Sequence, residues 1–339
     1  MKKKINVCLI GMGRAGMIHA KNFATRINHG TLVAICDPSQ EALAAAEKEL
    51  GVMATYTDYR EAVLAPTIDA VVIVTPTIYH KEIVLAAAAA GKHILCEKPL
   101  AMNEAECDEM IAAAKQHKVK LQVGFMRRFD ESFQQAKAIV ESGEIGDVVL
   151  VKSLTRGPSH PKPWMFDIRN SGGPIGEVNS HDFDTLRWFT ESEVANIYAI
   201  GGNYRSPEVQ ADYPDYYDTV SMNLSFKNGM IGAIDGAQYV QYGYDARVEI
   251  LGTTGNIMIG EQHKQKIVTA TRNGQLIRPA MHSWTYLFED AYIREDQAFI
   301  EAIIHDTAPL VTGQDGKMAV KLVNLGLRSL LEKQVVYAE

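Results

Sequence analysis

Lys98 is the first of two side chains whose type and setting suit proton transfer. It follows an apolar run, His93 to Cys96, and lies between Glu97 and Pro99. A positively charged neighbour lowers the pKa of an amine, and such an amine can bind a substrate hydroxyl. The alternative is an ordinary surface lysine, but a loop directly after a predicted strand favours the catalytic interpretation. Pro99 also permits a cis peptide bond before it.

His181 is the second candidate, and a glycine-rich segment, Ser171-Gly172-Gly173, leads into it. We predict a helix from Glu177 to Trp188, which would place Glu177, His181 and Asp184 on one face. A carboxylate one turn away makes a histidine a good general base, because it fixes the tautomer and supports the imidazolium. A structural hydrogen-bond network and a metal site are the alternatives. A metal would need further ligands at matched spacing, and the sequence shows none.

The N-terminal stretch has the pattern that a dinucleotide-binding unit requires. An apolar run ends at Gly11-Met12-Gly13-Arg14-Ala15-Gly16, a helical pattern follows, and a second apolar run stops at Asp37. In this pattern Gly11 gives a sharp turn, Gly13 leaves room for the pyrophosphate, and Gly16 lets the helix pack closely on the sheet. Free N–H groups at the start of the helix attract the phosphate charge.

Asp37 predicts which dinucleotide binds. Its carboxylate would accept hydrogen bonds from the adenosine ribose, and Pro38-Ser39-Gln40 offers no cation to a 2′-phosphate, so NAD is predicted over NADP. Two later strands are also followed by loops at this edge of the sheet. The predicted cofactor-binding residues are Gly11, Met12, Gly13, Arg14, Ala15, Gly16, Asp37, Thr75, Pro76, Thr77, His80, Glu97 and Lys98. For His80, and for His19, a buried structural role is an equal alternative.

Composition narrows the class of protein. A chain of 339 residues is too long for one typical domain. The net charge of −7, without a basic cluster, argues against nucleic acid as a partner, and no apolar stretch reaches the length of a membrane span. The cysteines form no CxxC pair, which indicates free thiols in a reducing cytoplasm; they are Cys8, Cys36, Cys96 and Cys107.

The pattern of predicted elements changes near Gly124. Before it, strands alternate with helices through short loops, which predicts an α/β Rossmann domain with a doubly wound parallel sheet over residues 1–124. One of these helices is predicted from Ser39 to Leu50, with Ser39 as its cap and Gly51 at its end. After it, helices flank a series of long strands, which predicts an α+β domain with a large, open, mostly antiparallel sheet over 125–339. Two helices are predicted to close the chain, from Tyr286 to His305 and from Gly316 to about Leu331. The predicted strands are Asp147–Thr155, Val194–Tyr204, Thr219–Phe226, Met230–Tyr239, Arg247–Leu251, Asn256–Ile259 and Lys266–Thr271.

The motifs together resemble the glucose–fructose oxidoreductase / inositol dehydrogenase family (Gfo/Idh/MocA) over nearly the whole chain. The combination is more specific than any one motif, and the segment Phe125–Asp130 looks most like the inositol 2-dehydrogenases. The residues that carry the resemblance are Gly11–Gly16 with His19-Ala20, Thr75-Pro76-Thr77, Glu97-Lys98-Pro99, Gly124–Asp130, Ser171-Gly172-Gly173 and His181-Asp182-Phe183-Asp184.

The resemblance implies roles for several residues. Lys98 and His181 become the catalytic pair, and Met126 and Arg127 lie near the substrate. The family usually has Asp four residues before the histidine, where this chain has Glu177. We assign catalysis to Lys98, His181 and Glu177, substrate binding to Lys98, Met126, Arg127, Asn179 and His181, and no residue to a metal. Family members commonly pair their sheet faces, so we expect a homo-oligomer, a dimer or a homotetramer.

The predicted function is an NAD-dependent dehydrogenase of an inositol, sugar or related polyol. A secondary C–H donates hydride to the nicotinamide while His181 takes the hydroxyl proton and Lys98 polarises that oxygen. The alternatives are a keto-sugar reductase, an NAD-dependent glycosidase of the same fold, and a non-catalytic sugar sensor. An intact Lys98 and His181 argue against the sensor, since a sensor needs no proton transfer.

Overall fold

The computed structural model describes residues 4–51, 54–260 and 268–338. The chain forms two compact units. The first comprises Met1–Phe129 and Asp290–Val320, and the second comprises Asp130–Glu289 and Lys321–Glu339. The predicted boundary at residue 124 lies close to the end of the first segment. The return of a C-terminal segment to the first unit differs from the prediction of two consecutive domains.

The first unit is a doubly wound α/β structure, as predicted. Among the described residues its sheet has six parallel strands in the order β3-β2-β1-β4-β5-β6. The strands are β1 (Ile5–Ile10), β2 (Gly30–Cys36), β3 (Ala54–Tyr56), β4 (Ala70–Ile73), β5 (His93–Glu97) and β6 (Leu121–Gly124). The helices are α1 (Arg14–Thr25), α2 (Gln40–Leu50), α3 (Tyr59–Leu64), α4 (His80–Ala89) and α5 (Glu104–Gln116). The strand order reverses between β1 and β4, where such folds bind ligands.

Strand β1 shows why this sheet is covered on both faces. Cys8 and Ile10 belong to one apolar core, while Val7 and Leu9 belong to the core on the opposite face. A strand buried on both sides needs a continuous apolar run, which is what the sequence has there. The α2 helix begins as predicted, because the Ser39 hydroxyl accepts the N–H of Ala42.

The second unit is built on a mixed, mostly antiparallel sheet, as predicted. Among the described residues its order is β12-β11-β7-β10-β9-β8-β15, with β7 and β10 parallel to each other. The strands are β7 (Val148–Arg156), β8 (Val194–Gly202), β9 (Thr219–Phe226), β10 (Ile231–Ala237), β11 (Asp245–Gly252), β12 (Asn256–Ile259), β13 (Thr269–Ala270), β14 (Leu276–Ile277) and β15 (Val336–Tyr337). The helices are α6 (Glu131–Ser142), α7 (Ile168–Ser171), α8 (Gly173–Glu177), α9 (Ser180–Thr190) and α10 (Trp284–Leu287).

Two predicted elements differ from the structure. Part of the predicted strand Lys266–Thr271 lies outside the described residues, and the rest pairs with β14 in a separate hairpin. The predicted helix from Tyr286 to His305 is two helices, α10 and then α11 (Glu289–Ile304), and the chain closes with α12 (Gly313–Glu332). Within the described residues, no helix has both the length and the apolar character needed to cross a membrane.

One face of the large sheet is exposed. Ile200, Ile231 and Met258 point to this face and are 56%, 56% and 76% exposed. In each strand a residue next to them is buried, because successive side chains point to opposite faces of the sheet. Helices α8 and α9 cover the opposite face, since they contact β10 and β7. The sheet is therefore packed on one side and open on the other within this unit.

Candidate active site

The glycine-rich loop between β1 and α1 has the geometry that its spacing predicts. Gly11 has a φ of +100°, and a Cβ there would lie 2.6 Å from the carbonyl oxygen of Val74. A Cβ on Gly16 would lie 1.9 Å from the Gly11 carbonyl, so the close approach is to the loop itself. A Cβ on Gly13 would meet no atom within 4 Å. The open space at Gly13 suits the approach of a pyrophosphate.

Asp37 holds this loop in place. One carboxylate oxygen accepts the N–H of Met12 at 2.7 Å, and the other accepts the N–H of Ser39 at 2.8 Å. Each oxygen has a second acceptor site, so Asp37 can still bind ribose hydroxyls. Gly13 caps α1 without a side-chain hydrogen bond, which leaves the start of this helix to a phosphate. Arg14 is exposed and Ala15 half-buried beside it.

The other two predicted cofactor loops follow β4 and β5. His80 lies between them, with Nδ1 2.9 Å from the Pro99 carbonyl oxygen and Nε2 2.8 Å from that of Thr75. Burial lowers the pKa of His80, while its contacts with the Thr75 and Pro99 carbonyls act in the opposite direction; the ring contacts both loops. The buried Thr75 hydroxyl oxygen has no hydrogen-bond partner in the part of the chain that the structure describes. A polar ligand such as a dinucleotide would satisfy it, so the residues present fit the cofactor.

Lys98 lies in the third of these loops. It is half-buried, it follows β5, and its backbone N–H donates to Glu97 Oε2 at 3.0 Å. The Lys98–Pro99 peptide bond is cis. Because β5 neighbours β4 in the sheet, the structure brings Lys98 to the same edge as Gly13 and Thr75, as the sequence predicts.

Met126 and Arg127 lie in a single 3₁₀ turn, Met126–Phe129, that follows β6. Both side chains are buried. The next residue, Arg128, donates to Asp315 Oδ1 at 3.0 Å. Burial alone would raise the pKa of Asp315, but Arg128 and Thr312 lower it below its ordinary value. The ion pair of Arg128 and Asp315 is therefore largely buried, with side-chain exposures of 8% and 20%.

The prediction of one continuous helix from Glu177 to Trp188 is wrong. Glu177 ends α8, and His181 is the second residue of α9, so the two are not one turn apart on a single helix. The break has a local cause, because the N–H groups of Val178 and Asn179 both donate to the Pro174 carbonyl. Asp184 is the predicted carboxylate that does share a helix with His181.

Asp182 anchors the first turn of α9, and the sequence interpretation missed this role. The carboxylate accepts hydrogen bonds from the hydroxyls of Ser153 and Thr155 on β7 and from Asn179 Nδ2. Asn179 also donates to the carbonyl of Asp235, and its Oδ1 has no hydrogen-bond partner among the described residues. Ser153 and Thr155, two residues apart in an apolar strand, were the available signal, because such residues share one face.

A buried cluster behind Glu97 was also missed. His19 Nδ1 is 2.7 Å from Asp296 Oδ1, and His19 Nε2 is 3.3 Å from Glu97 Oε1. Glu295 is fully buried beside them. A ring nitrogen of His19 and carboxylate oxygens of Glu97 and Glu295 lie within 4.8 Å of one another. His19 therefore has the structural role that the sequence left as an alternative. No local pattern links residues 277 positions apart, so the sequence carried no signal for its partner.

The comparisons with known proteins agree with this geometry. Residues 5–125 match the GFO/IDH/MocA oxidoreductase family with its NAD-binding Rossmann fold, and residues 133–258 match the GFO/IDH/MocA C-terminal domain. The chain is 36% identical to the myo-inositol 2-dehydrogenase of Thermotoga maritima, with 99% of each chain covered. It is 32% identical to the scyllo-inositol 2-dehydrogenase (NAD(+)) of Bacillus subtilis, with 95% and 93% covered.

A solved structure extends the similarity to the fold. The scyllo-inositol dehydrogenase of Lactobacillus casei, with bound NAD(H) and scyllo-inositol, superposes with a TM-score of 0.93 at 31% identity, and 99% of each chain is covered. The chain belongs to the GFO/IDH/MocA oxidoreductase family. Its N-terminal part is an NAD-binding Rossmann domain, and the protein is an NAD-dependent oxidoreductase.

Proposed function

We propose that this protein oxidises a secondary alcohol of an inositol to the ketone with NAD. The observation that carries the proposal is the full-length similarity to inositol dehydrogenases, one of them solved with NAD(H) and scyllo-inositol. The loops after β1, β4 and β5 support it, since Lys98 lies at the same edge of the sheet as Gly13 and Thr75. A sugar or another polyol is the broader substrate class.

The chain's own residues provide binding and proton transfer in this proposal. NAD supplies the hydride acceptor when it is bound. Lys98 polarises the substrate hydroxyl, and His181 accepts its proton as general base. Met126, Arg127 and Asn179 bind the substrate, and the buried Asn179 Oδ1 is available as an acceptor. Glu177 is our proposed orienting acid for His181 although it belongs to a different helix, and Asp184, which shares α9 with His181, is the alternative.

The proposed division of labour follows the two sequence regions. Residues 1–124 bind NAD, and residues 125–339 bind substrate and form the contacts between subunits. The exposed sheet face with Ile200, Ile231 and Met258 supports pairing in a dimer or homotetramer. All four cysteines are free and buried, which supports a cytoplasmic location.

A substrate panel tests the proposed function. The purified protein is incubated with NAD or NADP and with myo-inositol, scyllo-inositol, aldoses or sugar acids, and NADH formation is followed by absorbance. We expect an inositol to give the highest kcat/KM and NAD to exceed NADP at least tenfold, because Asp37 repels a 2′-phosphate. Nitrophenyl glycosides in the same panel detect a glycosidase. Turnover of glycosides alone, or equal use of NADP, would contradict the proposal.

A further inference from the structure

The buried cluster in the first unit forms a continuous chain of contacts that ends at Lys98. Asn22 Nδ2 donates to Asp296 Oδ2 at 2.8 Å, and Asp296 Oδ1 is 2.7 Å from His19 Nδ1. His19 Nε2 then faces Glu97 Oε1 at 3.3 Å, and Glu97 Oε2 accepts the backbone N–H of Lys98. The contacts therefore run from α11 through α1 to the loop that carries the proposed catalytic amine.

The charges of this cluster favour one arrangement of protons. Burial alone would lower the pKa of His19, but the carboxylates of Asp296 and Glu97 raise it well above its ordinary value. The ring is therefore an imidazolium, and both of its N–H groups can donate. Burial, followed by the nearby charge of Glu97, raises the pKa of Glu295 well above its ordinary value and so favours the neutral form of this acid. A cation between two carboxylates holds the side chains in fixed positions.

Gly124, on the opposite side of Glu97, also determines where the Glu97 carboxylate can lie. Gly124 on β6 pairs with Glu97 on β5, and a Cβ on Gly124 would lie 2.8 Å from the Glu97 carboxyl carbon. Any side chain at position 124 would displace the carboxylate from His19. Glu97 thus faces the His19 ring on one side. On the other side its carboxylate occupies space that only a glycine at position 124 leaves open.

We propose that Asp296, His19 and Glu97 are positioning residues that fix the Lys98 backbone, and thereby its amine, for proton transfer. Glu295 completes the cluster as a neutral acid. The proposal rests on the proposed catalytic role of Lys98. It adds that residues from the C-terminal helix α11, which touch neither substrate nor cofactor, control the rate of the chemical step through the third loop.

The test compares Asp296→Asn with Asp290→Asn, since Asp290 is an exposed acid on the same helix. Asp296→Asn should lower kcat by about 10- to 100-fold, the range for a slightly misplaced catalytic group. The Kd for NAD should stay within about threefold, because the contacts to pyrophosphate and ribose lie elsewhere. Asp290→Asn should leave kcat unchanged. Gly124→Ala displaces Glu97 without changing any charge and should also lower kcat about tenfold.

A double-mutant cycle separates this proposal from the proposed function. In a Lys98→Ala background, Asp296→Asn should change the residual rate by less than about twofold, because the group that it positions is gone. Equal effects of Asp296→Asn in both backgrounds, or a silent Asp296→Asn beside an inactive Lys98→Ala, would overturn the positioning role. A fully active Lys98→Ala would instead overturn the catalytic role of Lys98. A stoichiometric metal ion in the purified protein that Glu295→Gln abolishes would show a metal site in place of the proton arrangement.

Discussion

Each unit of the molecule buries an acid directly beside a proposed catalytic residue, and the two acids are stabilised in opposite ways. In the first unit Glu97 precedes Lys98 and faces the charged ring of His19. In the second unit Asp182 follows His181 and accepts hydrogen bonds from the hydroxyls of Ser153 and Thr155 and from the amide of Asn179. The first acid faces a cation that titrates, and these three donors to the second acid are neutral.

The difference has an energetic meaning. A buried ion pair offsets a large desolvation cost, and it responds to any change in protonation. Neutral donors give weaker individual hydrogen bonds, but they do not titrate near neutral pH. We therefore expect the stability of the cluster beside Lys98 to change with pH. The stability of the network beside His181 should instead depend on how well its donors and acceptors match.

The largest expected effect comes from removing the two proposed catalytic side chains. Lys98→Ala and His181→Ala should each lower kcat by about 10²- to 10⁴-fold, the usual contribution of a proton-transfer group. His181→Ala should also remove the acidic limb of the pH–rate profile, since only a neutral imidazole accepts a proton. Steady-state kinetics across pH check both results, with NAD binding by fluorescence as the control. Near-normal turnover of either variant would exclude that residue from catalysis.

A second prediction concerns the neutral network. Asp182→Asn keeps the shape but replaces one carboxylate oxygen with an NH2 group, which then faces either the hydroxyls of Ser153 and Thr155 or the NH2 group of Asn179. The mismatch should cost about 1–3 kcal/mol, the penalty for buried polar groups without partners. Calorimetry should therefore show a lower Tm at every pH. An unchanged Tm would mean that these hydrogen bonds do not anchor α9.

The same type of substitution should have the opposite sign in the charged cluster. The side-chain oxygens of Glu295 have no hydrogen-bond partner among the described residues, and burial raises the pKa of this acid. Glu295→Gln removes the need to keep a proton on this acid, so we expect Tm at pH 8 to rise by about 2–4 °C. The gain should shrink as pH falls toward 4.5, the ordinary pKa of this acid, and vanish below it, because the unfolded chain then also carries the proton. A lower Tm at pH 8 would show that the carboxylate is ionised.

The smallest expected effect is a slope with pH. The folded pKa of His19 is raised, so its contribution to stability is complete below its ordinary value of 6.5 and is lost as pH rises. Tm should therefore decline between pH 7 and 8.5 in the wild type and decline less steeply in Asp296→Asn, where His19 loses its main partner. Above that range the buried thiols, such as Cys8, would add their own dependence. Equal slopes of Tm against pH in the wild type and in Asp296→Asn would show that His19 does not cause the decline.

The sequence predicts the parts of the site that local patterns determine. The loop from Gly11 to Gly16 and the helix capped by Ser39 follow from turn and cap chemistry, and both are confirmed. The helix through Glu177 failed because Pro174 accepts two N–H groups at the point where the predicted helix would continue. Neighbouring residues alone do not reveal such a break.

Contacts between distant segments were beyond prediction. The partner of His19 lies on α11, and nothing in the pattern of that helix distinguishes Asp296 from an exposed acid such as Asp290. The roles of Asp182 and Glu295 depend on tertiary burial in the same way. A single sequence gives the residue types and their periodicity, whereas burial and partners require the assembled structure.

The return of Asp290–Val320 to the first unit has a consequence for how this protein is made. The ribosome synthesises the dinucleotide-binding strands first, but His19 has no Asp296 until most of the chain has emerged. Phe299 and Ile300, which are fully buried in the core beside β1, are equally late. During synthesis the N-terminal sheet therefore leaves apolar surface open to chaperones and proteases until the residues up to Val320 have been made, although its own strands are the earliest part of the chain.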